Sequence, residues 1–267
     1  MSAEPWPRPT YWPQMRREHF EAVLARDPVV VVPVGSIEQH GPHCPVDVDL
    51  SGPLAIARLA SERATDFPLV VAQEVPFGFT HYNQGFPGTI NLSLETFIAM
   101  MSDVLQSIHD NGFDRIVVMN GHGGNHHPLK AIATKMGERD VFCLAFSHWD
   151  LVAEEMAAWG EVERRIGHAG EWETSIQLHL REHLVDRSKQ VAEDWVPSVD
   201  PAYASFASFP ERQRETPHGV MGDPRVATAE KGAKYVDLAA TRLVELARAY
   251  RLQSVRHYRH AGTHQRR

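Results

Sequence analysis

The sequence predicts an α/β fold, a mainly parallel sheet covered by helices on both faces. Three observations carry that prediction. Strand and helix patterns alternate four times between residues 29 and 183, and such alternation favours parallel strands joined by helical crossovers. The stretch VVVVPV at 29–34 is apolar at every position, which marks a strand buried on both sides rather than one. Three predicted strands lead shortly to a histidine, at His40, His122 and His148, and open parallel sheets bind ligands at the carboxyl ends of their strands.

Taken in order, a short amphipathic helix is expected over 15–26 and strand one over 29–34. Ser51-Gly52-Pro53 reads as a helix start with Pro53 in its first turn, so the helix is expected over 53–64. Strand two, 69–75, stops at Pro76. The loop PFGFTHYNQGFPGTINL follows, and a loop of this length in a compact domain is more often functional than idle. Its His81 and Tyr82 read as loop surface. Ser93 caps a helix through Asn111, with Glu95 in the first turn and Gly112 past the end. Strand three, 115–119, delivers NGHGGNHH, and a helix is expected over 128–139. Strand four, 141–146, delivers SHWD, with helices over 151–159 and 171–183. Residues 187–217 lack periodicity and read as a surface excursion, and a final helix runs to 250. The chain, 1–267, is expected as one domain. Residues 1–14 form a Pro- and Trp-rich extension that wraps the surface or a neighbouring subunit, and 252–267 a frayed polar tail.

Composition narrows the function. With 43% hydrophobic and 23% charged residues, the chain has the make-up of a globular protein with a proper core. A net charge of −7 argues against a general nucleic-acid surface. Cys44 and Cys143 lack CxxC partners, so neither a disulfide framework nor a thiolate zinc site is implied, and a reduced cytoplasm is the simplest setting. No apolar run approaches the roughly 20 residues of a membrane span, and the N-terminus has no charged-then-apolar signal pattern. The unusual feature is 16 histidines, the residue most used for metal binding and for proton transfer near neutrality.

Glu38 and His40 are two apart, and in extended backbone they point the same way. With Asp49, His122 and an acid near His168 they make three carboxylates and two imidazoles, a set suited to zinc, manganese or iron(II). A shared carboxylate can bridge two ions about 3.5–4 Å apart that hold a water between them, and metal binding lowers such a water's pKa to roughly 7. The natural reaction is hydrolysis of an amide or related C–N bond. No dinucleotide fingerprint, nucleophile elbow or Walker loop competes. Each piece also has a plainer reading. E-x-H is a common accident, Asp49 alone reads as a helix cap, and Cys44 reads as a small buried filler. His126 and His127 read as helix-start polar residues, and Trp149 and Trp172 are balanced between core and substrate wall. NGHGGN also reads as a glycine turn whose backbone N–H groups cradle a phosphate or nucleotide. On spacing alone the dinuclear site and the phosphate cradle both stand.

GSIEQHGPHCPVDVD resembles the signature of the creatininase family, G-[ST]-x-E-Q-H-G-P-H with an aspartate eleven residues after the glutamate. FPGTINLSLETF, NGHGGN, GHAGEWETS and GDPRVATAEKG resemble further blocks of that family, in its order, across about residues 28–250. The resemblance implies a three-layer α/β/α fold, usually a homohexamer. It also implies a dinuclear site that hydrolyses amide bonds, often cyclic ones, rather than typical peptide bonds. Carried over by position, one ion falls to Glu38, Asp49 and His122. The second falls to His40, the bridging Asp49 and one further acid. In creatininase that acid lies two places after the NGH histidine, and here the position is Gly124. Glu173 is the expected replacement and Glu171 the rival; two apart on a helix, they face different sides. His168 matches the family's catalytic histidine and is expected to protonate the departing nitrogen, with Glu173 sharing in catalysis. The acid before that histidine in creatininase is Gly167 here. Both departures argue against creatinine as the substrate. The GHGGN form is similar to the peptidase-like members of peptide-cofactor maturation and to formylamino-pyrimidine deformylases. The implied cofactors are two divalent ions per chain, zinc first, with manganese or iron as alternatives. The implied substrate is a small lactam or formamide, in a pocket shaped by residues 77–86 and Trp149. A catalytically silent scaffold of the same family is the remaining alternative.

Overall fold

In the computed structural model, residues 6, 8–194 and 216–253 are described. Their elements run α1 (Arg17–Leu24), β1 (Val29–Val34), α2 (Val48–Arg63), β2 (Leu69–Val71), α3 (Leu94–Asp110), β3 (Ile116–Asn120), α4 (His126–Gly137), β4 (Cys143–Ser147), α5 (Ala153–Trp159), α6 (Glu171–Arg181) and α7 (Ala229–Leu252). The four strands pair in the order β2-β1-β3-β4, every pair parallel. Val32 stands opposite Val118, and Val118 opposite Ala145, so the ends of β1, β3 and β4 lie level along one edge.

The valine run becomes β1 with the expected bounds, and all six of its residues are buried. Alternation divides them between two cores. Val29 and Val31 join Val117 and Met119 against Ile56 of α2, Trp172 and Ile176 of α6 and Tyr235 of α7. Val30, Val32 and Val34 join Ile116 and Val118 against Val23 of α1, Phe97 and Met101 of α3 and Ile132 of α4. The result is three layers with the sheet in the middle. The five valines of β1 contribute on the order of 10 kcal/mol of burial, before chain ordering offsets it.

Ser93 caps α3 by accepting from the Thr96 N–H at 3.2 Å. Other expected boundaries shift. β2 ends at Val71, and Val75 returns only as a single parallel bridge to Val34. α4 begins at His126, so Pro128 is its third residue, where a missing N–H leaves no intrahelical bond broken. β4 begins at Cys143, and a 3-10 turn, His148–Val152, precedes α5. Along the far edge, the Val71 N–H donates to the Thr10 carbonyl at 2.9 Å, so the N-terminal segment covers β2. The expected surface excursion falls mostly on 195–215, and the expected tail on 254–267, outside the described residues.

The largest correction concerns α2. It starts at Val48, five residues before Pro53, so Pro53 lies inside the helix and Asp49 in its first turn. Pro53 has no N–H to give the Asp49 carbonyl. Two strand ends crowd that carbonyl instead. A Cβ on Gly35, after β1, would lie 2.6 Å from the Asp49 oxygen, and one on Gly121, after β3, would lie 1.9 Å from it. Only glycine admits such an approach, so α2 is wedged against both strand ends. No described helix is long and apolar enough to cross a membrane.

Candidate metal centre

Four elements converge on one buried cluster. The chain leaving β1 supplies Glu38 and His40, the first turn of α2 supplies Asp49, the end of β3 supplies His122, and the first turn of α6 supplies Glu173. Glu38 and His40 are fully buried, Asp49 and His122 nearly so, and Glu173 is 7% exposed. Asp49 stands in the middle. Its Oδ1 is 3.0 Å from His40 Nε2 and its Oδ2 is 2.9 Å from His122 Nδ1. Glu173 Oε2 lies 3.5 Å from His40 Nε2, and Glu38 Oε1 lies 3.3 Å from His122 Nδ1. Two groups that could each hold a metal ion therefore share Asp49: Glu38, Asp49 and His122, and His40, Asp49 and Glu173.

The orientation of each imidazole is set from behind. His40 Nδ1 lies 3.1 Å from the Glu38 carbonyl, and His122 Nε2 lies 3.1 Å from the Phe79 carbonyl. A ring nitrogen facing a carbonyl carries the hydrogen, which leaves the opposite nitrogen as a bare lone pair. Those lone pairs, His40 Nε2 and His122 Nδ1, face carboxylate oxygens. Glu38 Oε1, His40 Nε2 and Asp49 Oδ2 are buried without a hydrogen-bond partner. Lone pairs opposed at about 3 Å in a dry site repel unless positive charge, a proton or a metal ion, stands between them. The donor set therefore fits divalent metal ions.

The titration behaviour expresses the same demand. Burial alone would lower His40, but the Asp49 and Glu173 carboxylates override it and hold the imidazole up at about 9. His122, equally desolvated, is raised well above its ordinary value by Glu38, Tyr82 and Asp49. Burial pushes Glu173 up to about 8 against the pull of His40. Asp49 is also desolvated, yet His40 and His122 hold it well below the ordinary carboxylate range.

Glu171 is placed elsewhere. Its carboxylate accepts from the backbone N–H groups of Glu161, Val162 and Glu163 at 2.8, 3.0 and 3.0 Å and from Lys231 Nζ at 2.7 Å. The structure brings Glu173, and not Glu171, to the cluster. His168 is there as well: its Nδ1 lies 3.5 Å from Glu38 Oε1, and its Nε2 lies 2.9 Å from both the Gln39 carbonyl and the Gln39 side-chain amide. Gly167 could not carry an acid in this setting, since a Cβ there would lie 2.1 Å from the Met221 carbonyl. That carbonyl accepts from the His168 N–H at 3.1 Å.

Residues of the 77–86 loop do more than line a pocket. Thr80 donates a short hydrogen bond to Glu38 Oε2, and Asn83 Nδ2 donates to Thr80 Oγ1 at 3.2 Å. Tyr82, expected at the surface, is 9% exposed, and its hydroxyl lies 3.3 Å from His122 Nε2. Sequence reasoning placed the 77–86 loop at the pocket but singled out neither Thr80 nor Asn83, and it read Tyr82 as surface. A cleft of about 870 Å³ opens over the cluster, bordered by Tyr82, Trp149, His126, His127 and Arg165. Trp172 is fully buried core instead. The neighbours of the motif take structural partners: His43 Nε2 meets Thr174 Oγ1 at 2.9 Å, and Asp47 pairs with Arg181 at 2.6 and 2.8 Å. Burial pushes the Cys44 thiol up to about 12, in keeping with a filler. In the NGHGGN turn, Asn125 is spent on structure, accepting from Phe79 N–H and donating to the Gly35 carbonyl, both at 2.9 Å.

A family model described as creatinine amidohydrolase matches residues 13–247. The chain belongs to the creatininase family. Among curated proteins of known name, it is 28% identical over 250 residues to creatinine amidohydrolase from Pseudomonas putida, covering 87% of this chain and 93% of that one. It is 32% identical over 218 residues to the mycofactocin precursor peptide peptidase of Mycolicibacterium smegmatis, covering 78% and 79%. It is 26% identical over 264 residues to 3-dehydro-scyllo-inosose hydrolase of Thermotoga maritima, covering 90% and 84%. A solved structure titled "Creatininase Mn" superposes with a TM-score of 0.78 at 24% identity, over 92% of this chain and all of that one. The chain is thus similar in sequence to relatives named for three different substrates.

Proposed function

We propose that this member of the creatininase family hydrolyses an amide C–N bond in a lactam or formamide. In this reading Glu38, Asp49 and His122 hold one divalent cation, and His40, Asp49 and Glu173 a second. The observation that carries it is Asp49, whose two oxygens each meet an imidazole nitrogen near 3 Å while the far side of each ring is tied to a backbone carbonyl. Zinc is the first choice and manganese or iron the alternatives; solved creatininases carry titles naming Mn and a Zn-Zn type. When bound, two such ions supply a water acidified toward neutral pH and polarise the amide carbonyl.

The chain's own residues do the rest. Three carboxylates offset three of the four positive charges of two divalent ions in a site from which water is largely excluded. Thr80 holds Glu38 by donating to one of its oxygens, which leaves Oε1 turned to the cluster. His168 presents Nδ1 beside Glu38; with Nε2–H held on the Gln39 carbonyl, the ring must first take up a proton at Nδ1, which it can then hand to the departing nitrogen as a general acid. Gln39 holds the opposite edge of that ring. Tyr82 and Trp149 wall the cleft.

A second reading, a peptidase-like maturation enzyme, is favoured by the size of the cleft. Its volume of about 870 Å³ is near the top of the roughly 300–1,000 Å³ range of ligand sites, more than a small ring needs. Metal analysis of protein purified without chelator tests the shared premise, with two equivalents of divalent ion per chain expected and none overturning it. Hydrolysis of a panel of lactams, formamides and short peptides then separates the two substrates.

A further inference from the structure

His148 is a buried histidine with no part in the chemistry above. It opens the turn after β4 and is 3% exposed. Burial lowers its pKa to about 4, so the ring is neutral. Its Nδ1 lies 2.8 Å from the hydroxyl of Tyr235, in α7. Tyr235 is fully buried, and its hydroxyl meets no other hydrogen-bonding group among the described residues. If that hydroxyl accepted from the ring, its own proton would be left without an acceptor, a cost that folded proteins avoid. Tyr235 therefore donates to Nδ1, and Nε2 carries the ring hydrogen.

That nitrogen borders a small hollow. A Cβ on Gly52, inside α2, would lie 3.9 Å from His148 Nε2 and 3.7 Å from the Ile176 side chain, so the glycine leaves space that a methyl could fill. The hollow measures about 10 Å³ and is bordered by His148, Gly52, Asp49 and Glu173, which is about the room one water needs. Glu173 spends Oε2 on the Ala169 N–H at 2.5 Å and turns it to His40 at 3.5 Å. No hydrogen bond from the described residues reaches its Oε1. A buried donor and a carboxylate, each with capacity to spare, thus share one water-sized space.

We propose that His148, fixed by Tyr235, is a positioning residue: its Nε2–H binds a single buried water that donates in turn to Glu173 Oε1 and so aims Oε2 at the cation on the His40 side. This rests on the metal-centre reading and deepens it. A bridging water serves nearly as well as a direct hydrogen bond, and outer partners of metal ligands are worth about 10–100-fold in metal affinity. The glycine at 52 then has a reason. A helix interior ordinarily favours alanine over glycine, and here the methyl would take the water's place.

The test is Gly52→Ala, which closes the hollow and replaces no ligand. Zinc is titrated into metal-free protein against a competing chelator, and wild type should take up two ions. The variant is expected to bind one of them about tenfold more weakly and the other as wild type does. Adding His148→Leu should cause little further loss, because the water is already displaced. Tyr235→Phe, which leaves the hollow open but no longer fixes the ring hydrogen, should weaken the same ion. Wild-type affinity for both ions in Gly52→Ala overturns the proposal and leaves the metal centre standing. Equal weakening of both ions would mean that α2 has carried the shared Asp49 with it, and overturns the proposal too. The ring ¹⁵N shifts of His148 give a second measurement: a hydrogen at Nε2 is expected, and one at Nδ1 overturns the proposal whatever the zinc result. Wild type that takes up fewer than two ions overturns the metal-centre reading itself, and the role of His148 with it.

Discussion

The first turn of α6 carries two buried glutamates two residues apart, and they live in opposite chemical worlds. Glu171 is surrounded by donors: three backbone N–H groups and Lys231. Burial would raise its pKa, but those partners bring it below the ordinary value. Glu173 accepts from the Ala169 N–H at 2.5 Å but otherwise faces Asp49, Glu38 and the His40 imidazole, and burial pushes it up to about 8. The difference teaches how to separate a structural acid from one held ready for a cation. The first brings its positive partners with it, and the second is short of them.

Removing the acid that both halves share should have the largest effect. Asp49→Asn is expected to weaken both ions by at least about 100-fold, since even outer partners of a metal site are worth 10–100-fold, and amide hydrolysis should fall to background. Retention of two ions, read by elemental analysis, would break the assignment of Asp49 as the bridge. Next is His168→Ala, expected to keep both ions while kcat falls by about 10²–10⁴, the usual worth of a positioned acid. Loss of an ion instead would make His168 a ligand.

The glutamate pair itself gives the sharpest contrast. Glu171→Gln should keep its metal complement and lose about 2–4 kcal/mol of stability, because Lys231 and the 161–163 turn lose their anion. Glu173→Gln should lose one ion while the metal-free fold melts no lower than wild type. Thermal melts with and without zinc decide, and the reverse pattern would overturn the comparison. The smallest expected effect is on pH. His40, raised to about 9, contributes stability that is full below its unfolded value near 6.5 and is lost as pH rises through 9. Glu173, raised to about 8, acts in the same direction between about 4.5 and 8. Metal-free protein should therefore lose a few kcal/mol between pH 6.5 and 9, and zinc-loaded protein much less. Metal-free melting that rises with pH over this window would show that the fold holds His40 neutral instead.

The parts of this molecule legible in its sequence are those where one local rule decides. A run of valines can only be a strand buried on both faces, so β1 keeps its expected bounds. Ser93 with Glu95 behind it starts α3 where a capping residue should. Pro53 misled because its usual place is the first turn, and the reason it sits deeper is the contact of α2 with Gly35 and Gly121, which is tertiary. The buried acids and imidazoles share motifs that can be read in a row. Thr80, Tyr82 and Asn83 lie in a loop whose residues obey no period, and their partners Glu38 and His122 lie some 40 positions away in either direction. Nothing local marks them, and the contacts that place them are visible only in three dimensions.

The leftover carbonyl of Asp49 has a consequence for how such a protein can change. Because Pro53 gives it no partner, α2 slides in until that oxygen rests between two strand ends, and the central acid is surveyed from the sheet itself. The 77–86 loop meets the same edge, since a Cβ on Gly78 would lie 2.6 Å from the Gly35 carbonyl, and it steadies Glu38 through Thr80 and His122 through the Phe79 carbonyl. A lineage could therefore vary that loop freely only away from Gly78, Phe79 and Thr80, while Asp49 stays registered to the same two glycines.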